Sequence, residues 1–283
     1  MNGRRRLSFE AFSRRLTARG GIKRLFPKRI KRLARHWLGW RWFVGDFATW
    51  EQACANSGGY QVESIAAKVR DATREVVDGR AAFERDGVCF PAYEPEKELT
   101  DIFWAISQEV GAPLRVLDFG GALGSTYWRH RGVLPAIESW DVIEQPTFVE
   151  LGRAEFSEVG FCSSLRDVRA NRYSVVLCSN ALQYLEYPLQ LLDEFAGMGA
   201  PNLVINGLPL HRDRPDRIRV QRVPPTIYEA SYPVRFFNRD GFLRRIAPQW
   251  SVQREFVSEA VWFVDGRDYP STGLWLRRRV AEV

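Results

Sequence analysis

A chain of 283 residues with 45% hydrophobic and 27% charged side chains has the composition of a globular protein able to bury a substantial core, which excludes a disordered or fibrous polymer. The net charge of +7 is unevenly placed: residues 1–36 hold thirteen Lys or Arg against the single acid Glu10, so this arm carries +12 and leaves −5 for the rest. A mildly acidic body behind a basic arm points to an anionic partner for the arm alone, a membrane surface or a nucleic acid, and the body holds no nucleic-acid motif. No run of about 18 apolar residues and no apolar signal core is present, so a transmembrane helix and secretion are not expected and a cytoplasmic location is. Cys54, Cys89, Cys162 and Cys178 form no CxxC pair and no metal-like group with the three histidines; they read as buried free thiols.

Taken in chain order, residues 29–38 place Ile30, Leu33, Ala34, Trp37 and Leu38 on one side and Arg29, Lys31, Arg32, Arg35 and His36 on the other, the pattern of a basic amphipathic helix. It runs into Trp40, Arg41, Trp42 and Phe43, and the character changes at Gly45, which predicts an arm over 1–45 and a domain over 46–283. Two readings of the aromatic cluster stand: it enters the headgroup layer of an anionic membrane together with the basic residues of 1–43, or it packs on the domain. A helical lead-in over 46–112 is expected, with helices at 61–78 (Ile65, Val69, Ala72, Val76) and 96–110 (Leu99, Ile102, Phe103, Ile106, Val110).

A regular alternation follows. Strands are expected at Leu114–Asp118, Trp140–Glu144, near Phe161, at Ser174–Ser179 and at Asn202–Asn206, with helices from 123, at 147–157 and at 187–197. Short apolar strands alternating with helices predict a parallel sheet covered on both faces. Residues 208–235, rich in Arg and Pro, read as a long insertion. Asn238 then caps a helix carrying Phe242, Leu243 and Ile246, and 250–257, 260–264 and 273–280 are extended, with a turn at Asp265-Gly266.

The chemistry concentrates at four strand ends. Gly120, Gly121, Ala122 and Gly124 give the first strand a turn whose backbone a nucleotide cofactor can approach closely. Phe119 breaks the dinucleotide pattern G-x-G-x-x-G, and Asp118 before the turn resembles instead the first motif of S-adenosylmethionine (SAM) binding. An ordinary βα turn is the plain alternative. Glu144, about 20 residues on and followed by Gln145, is placed to accept hydrogen bonds from both ribose hydroxyls; its alternative is a surface residue that happens to follow a strand. Ser179, Asn180 and Gln183 follow the fourth strand at the carboxyl edge, where ligands of such sheets bind, and Tyr184 there either meets the acceptor or packs in the core. His211, after the fifth strand, is the candidate general base because imidazole titrates near working pH; its alternative is a solvated His in an Arg-rich loop. Arg212, Arg214, Arg217, Arg219, Arg222 and Arg235 suit an acidic or phosphate-bearing acceptor, and Asp213, Asp216 and Glu229 among them suit a self-paired loop equally well.

The stretches 50–60, Phe83–Asp86, Val116–Tyr127, Trp140–Gln145, Ser179–Leu185, Val223–Tyr228 and Ser231–Pro233 together resemble a bacterial family of predicted SAM-dependent methyltransferases encoded near genes for cell-surface polysaccharides; the resemblance covers about 46–250. It implies an α/β fold, the Rossmann-like class I SAM-dependent methyltransferase sheet, mostly parallel with an antiparallel C-terminal end and a helical N-terminal extension. It further implies SAM as cofactor and O-methylation of a small-molecule, glycan or lipid-linked acceptor; the resemblance leaves the basic arm outside, and it is that arm which points to the inner membrane face, while the Cys and His pattern predicts no metal. The family's Asp-Arg-Thr-Pro after the fifth strand is Asn206-Gly207-Leu208-Pro209 here, which removes a charged pair from the rim. The competing reading is a methyltransferase-like module that binds SAM, or nothing, and serves as an interaction partner in the same pathway.

Overall fold

The apolar residues of the central strands alternate between two destinations, and this alternation organises the molecule. In a computed structural model, which describes residues 42–59, 62–168, 173–224, 227–265 and 267–279, Leu114 and Val116 point into one core, and Leu117 into a second. Val175 and Leu177 likewise oppose Val176 and Cys178, and Val204 opposes Leu203 and Ile205. Strands buried on both faces need cover on both.

The strands are β1 (Phe43–Phe47), β2 (Phe83–Arg85), β3 (Val88–Phe90), β4 (Leu114–Phe119), β5 (Ile137–Ile143), β6 (Gly160–Cys162), β7 (Val175–Ser179), β8 (Asn202–Leu208), β9 (Leu210–His211), β10 (Arg217–Arg222), β11 (Ser231–Asn238), β12 (Trp250–Val264) and β13 (Arg267–Arg278). The α-helices are α1 (Trp50–Ala55), α2 (Val62–Val77), α3 (Lys97–Val110), α4 (Ser125–His130), α5 (Pro146–Glu155), α6 (Pro188–Gly197) and α7 (Arg239–Ile246). Helices α2 and α3 close the first face with Ile65, Val69, Leu99, Ile102, Phe103 and Ile106. Helices α6 and α7 close the second with Leu191, Leu192, Phe195, Phe242 and Ile246. Helix ends follow local chemistry: Pro146 and Pro188 open α5 and α6, where a missing N–H costs nothing. The Asn238 side chain accepts from Gly241 N at 2.8 Å, as a cap of α7.

The main sheet has the order β12-β13-β8-β7-β4-β5-β6. Neighbours from β6 through β8 are parallel, and β13 returns antiparallel to β8 with Leu274 opposite Ile205. Only residues from Thr272 onward pair with β8, so the far end of the β12–β13 hairpin overhangs the carboxyl edge.

Three features depart from the sequence reading. The insertion over 208–235 is not a loop but most of a second, four-stranded sheet of order β1-β10-β11-β9. Its first strand comes from the segment the sequence assigns to the arm: Phe43 lies opposite Gln221, packs edge-on against Phe236 at 5.2 Å and touches Trp262 at 5.5 Å, while Trp42 O accepts from Arg222 N. Trp42 and Phe43 therefore belong to the domain; the basic helix expected over 29–38, with Trp37 and Trp40, lies outside the described residues. The third departure concerns the thiols, of which Cys178 is buried but Cys54 and Cys89 are exposed, all four being free. Among the described residues no helix is long and apolar enough to cross a membrane.

Candidate functional site: a glycine turn at the switch point of the sheet

Strand β4 lies between β5 and β7, so the order of connection reverses at its carboxyl end, the position where open α/β sheets bind ligands. The chain leaves β4 through Gly120 (φ 72°), Gly121, Ala122 (φ 52°) and Gly124 (φ 87°). Two of these glycines are dictated by space as much as by dihedral angle. A Cβ on Gly121 would sit 2.5 Å from Asp118 Oδ2, and one on Gly120 would sit 2.7 Å from Ala181 Cβ. The turn thus folds back over the strand-end carboxylate and against the segment that follows β7.

Asp118 is fully buried. Its Oδ2 accepts a hydrogen bond from Trp140 Nε1 at 3.2 Å, and its Oδ1 has no partner. Burial pushes its carboxyl up to about 7, against the Trp140 bond and with the help of the Glu144 charge. Glu144 Oε2 accepts from Gln145 N at 2.7 Å, and its carboxylate also accepts from the backbone of Ala122. The second strand-end acid is thereby tied to the glycine turn, and burial raises it too. Asp118, the turn, Glu144 and Gln145 form one continuous floor. Phe119 contributes backbone only, because its ring packs edge-on against Phe195 at 5.7 Å on the α6 side.

The segment after β7 borders this floor. Asn180, at φ 54°, donates its N–H to Asn206 O at 2.8 Å, and Ser179 Oγ accepts from Asn206 Nδ2 at 3.3 Å. Gln183 is fully buried. Tyr184 packs against the second sheet: its hydroxyl donates to Gln221 Oε1 at 2.8 Å and its ring meets Tyr232 edge-on at 5.2 Å.

His211 is not brought to this floor. It forms part of β9, its side chain 6% exposed, and lines a small pocket with Pro209, Leu210, Arg214, Arg217, Phe236, Val264 and Tyr269, none of them a residue of the glycine turn, Glu144 or the post-β7 segment. Burial pulls its imidazole below the ordinary value. The arginines nearby are engaged: Arg214, Arg217 and Arg219 converge on Asp265 at 3.3, 3.0 and 2.8 Å, and Arg217 also holds Asp46 at 2.8 Å. Arg235 donates to Glu186 O and lies over the Trp50 ring. This geometry supports the self-paired reading of the Arg-rich segment.

Two groups escaped the sequence reading. The β2–β3 hairpin turns through Asp86 (φ 54°) and Gly87 (φ 70°), as a two-residue type I′ turn requires; an Asp-Gly pair between short alternating runs was the available signal. Buried Glu84 fixes this hairpin to the site, accepting from Ser125 Oγ at the start of α4 and from Gly87 N at 3.1 Å. The second group is a buried bridge: Arg129 pairs with Glu96, Glu96 Oε2 accepts from Asn206 Nδ2 at 2.8 Å, and Ser258 Oγ donates to Asn206 Oδ1 at 2.7 Å. Asn206, where the resembled family carries an acid, is a structural hub here. His130 lies next to this bridge, 1% exposed and pulled down to about 3 by burial and by Arg129, so it stays neutral.

Numbered in chain order, the seven strands of the main sheet run 3-2-1-4-5-7-6 with the seventh antiparallel, which is the class I SAM-dependent methyltransferase fold. No protein-family model and no curated protein matches the chain. Among solved structures it is similar to the 1,6-didemethyltoxoflavin-N1-methyltransferase of Burkholderia thailandensis, bound to 1,6-didemethyltoxoflavin and S-adenosylhomocysteine (16% identity, 77% of this chain and 91% of that one, TM-score 0.44). It is also similar to the N-terminal domain of EvdMO1 with S-adenosylhomocysteine and D-fucose (15%, 78% and 98%, 0.46), and to a SAM-dependent methyltransferase from Aquifex aeolicus (16%, 76% and 97%, 0.45).

Proposed function

We propose that the chain is a SAM-dependent methyltransferase that methylates a hydroxyl group of a small, glycan or lipid-linked acceptor in surface-polysaccharide assembly. The observation that carries the cofactor is the floor at the switch point: a fully buried carboxyl with one unpartnered oxygen, Asp118 Oδ1, beneath a turn with no room for a side chain at Gly120 or Gly121 and beside Glu144. These groups fit a ligand that brings hydrogen-bond donors and positive charge, which SAM does through its ammonium, its ribose hydroxyls and its sulfonium. Asp118 and the backbone of 119–124 would hold the amino-acid portion, Glu144 and Gln145 the ribose, and Ser179, Asn180 and Gln183 the side facing the acceptor. When bound, SAM supplies an activated methyl group, and the remaining catalysis is alignment of the acceptor. The acceptor class is supported by the family resemblance.

Calorimetry with SAM and S-adenosylhomocysteine tests the cofactor. The protein should bind both, and Glu144→Ala should weaken binding about tenfold or more, because losing a charged hydrogen-bond partner costs roughly 1.5–3 kcal/mol. A folded wild-type protein that binds neither ligand refutes the reading. For the arm we propose attachment to the cytoplasmic face of an anionic membrane, supported by its +12 charge and by a contribution on the order of 1 kcal/mol per basic residue at such a surface. The full chain should float with anionic vesicles and a chain beginning at Trp42 should not; flotation of both refutes it.

A further inference from the structure

Methyl transfer at the glycine turn leaves the pocket beside His211 without a role, although its parts are held firmly. Its apolar wall is braced: the Phe236 ring stands against Phe43 at 5.2 Å and against Trp262 at 5.9 Å, and Val264 and Tyr269 pack into the same cluster. Its polar side is fixed through Asn238. This residue pairs in register with His211, donates from Nδ2 to Arg214 O at 2.7 Å and from its backbone N to Asp216 Oδ1 at 2.7 Å. The backbone that carries both His211 and Arg214 is thereby tied to the strand that carries Phe236.

The polar groups on this pocket are not used up by one another. The His211 side chain is 6% exposed and neither of its ring nitrogens has a hydrogen-bond partner among the described residues, a costly arrangement for buried polar atoms. Arg214 spends a single N–H, Nη1, on Asp265 at 3.3 Å, and a guanidinium has five. Arg217 is clamped between Asp46 and Asp265 at 2.8 and 3.0 Å. No carboxylate is among the described residues that line the pocket. The acids nearby are behind or beside it: Asp265 is shared by Arg214, Arg217 and Arg219, and Asp216 is taken by Asn238 N and by Arg245 at 2.8 Å. Asp213 stands 3.9 Å from Arg214 Nε and 4.0 Å from His211 Nδ1, too far to hydrogen-bond and more than half exposed, where solvent weakens its hold.

We propose that this pocket is a second ligand site, separate from the cofactor floor, and that it takes a small carboxylate with an apolar body, such as an aromatic acid. The space, about 320 Å³ counted to its open mouth, lies at the lower end of small-molecule sites, which are mostly apolar with a few convergent polar groups. The carboxylate accepts from the spare N–H groups of Arg214, whose planar fork suits it, and from the N–H of His211. The apolar body rests on Phe236, Val264 and Tyr269, where an aromatic ring meets ring edges. A bare anion would leave that wall wet, and a neutral ring would leave Arg214 without its charged partner.

The test is ligand-observed NMR titration of the full chain with benzoate, benzamide and acetate, each with and without S-adenosylhomocysteine. Benzoate should bind, and the neutral and the bare probe should bind about tenfold more weakly or less. His211→Ala and Arg214→Gln should each weaken benzoate about tenfold and leave S-adenosylhomocysteine affinity unchanged. Arg214 is on the surface, so its variant keeps the test intact should His211→Ala melt early. Asp213→Asn should tighten benzoate about twofold, the scale of an exposed ion pair. No binding of benzoate, benzamide binding as tightly, an Arg214→Gln protein that binds like the wild type, or displacement of benzoate by S-adenosylhomocysteine overturns the proposal. It does not rest on the methyltransferase reading: a chain that binds no S-adenosylhomocysteine refutes that reading and leaves the benzoate titration to be judged by itself.

Discussion

The Asp118 carboxyl should make the cofactor-free protein less stable as pH rises. In an unfolded chain it titrates near 3.8 and in the folded protein near 7, mainly because burial disfavours the charged form. Below about pH 4 both states hold the proton and folding carries no penalty. Between about 4 and 7 the unfolded chain releases it while the fold retains it, so stability declines, and above about 7 the full penalty applies, ~4 kcal/mol for a difference of this size. Asp118→Asn removes the ionisation and keeps an oxygen to accept from Trp140 Nε1. In urea unfolding at pH 8 without cofactor, the Asn variant should be more stable than the wild type by ~2–4 kcal/mol, and the two should converge at pH 4. The same variant should bind SAM more weakly, the exchange of stability for function expected at a site. A stability difference that does not change with pH, or a wild type that is the more stable at pH 8, would refute the buried-acid argument.

Gly121→Ala forces a Cβ to within 2.5 Å of Asp118 Oδ2; a loss of ~2 kcal/mol in thermal unfolding, together with impaired SAM binding, is expected, and a neutral outcome would mean the turn is more open than described. A chain beginning at Ala48 lacks β1 and uncovers Phe236 and Trp262, so it should lose ~2–3 kcal/mol relative to one beginning at Trp42, as read by denaturant midpoints; equal midpoints would detach β1 from the fold. His211→Ala should change neither SAM affinity nor the methylation rate by more than about threefold, whereas a general base would cost about a hundredfold or more.

What could be read from the sequence was local. Asp118, the glycine turn and Glu144 are adjacent in space because they follow neighbouring strands, and each is constrained by its own backbone: positive φ at Gly120 and Gly124, and no Cβ space at Gly121. Strands β4, β7 and β8 are likewise visible as short apolar runs, because residues bound for either core are apolar. The second sheet is not local. Strand β10 alternates Ile218 and Val220 toward Ala53 with Arg217 and Arg219 toward Asp265, so one of its two faces is charged, and an Arg-rich stretch reads as loop until its acid partner is seen. Asp265 lies 46 residues from Arg219, and Asp46 lies 171 from Arg217. No periodicity shows such pairs. The same blindness placed Phe43 in the arm, since its partner Gln221 is in β10.

The division also shows in what each unit tolerates. In the main sheet a change of one methyl group at Gly120 or Gly121 meets Ala181 or Asp118 and is resisted by close packing. The β2–β3 hairpin is held through Glu84 to Ser125, and its exposed turn residue Asp86 can change without disturbing the Asp118–Trp140 contact or the Glu144 bond to Gln145 N. The strand-end motif therefore stays legible in sequence, while the second sheet is written in pairings across the chain.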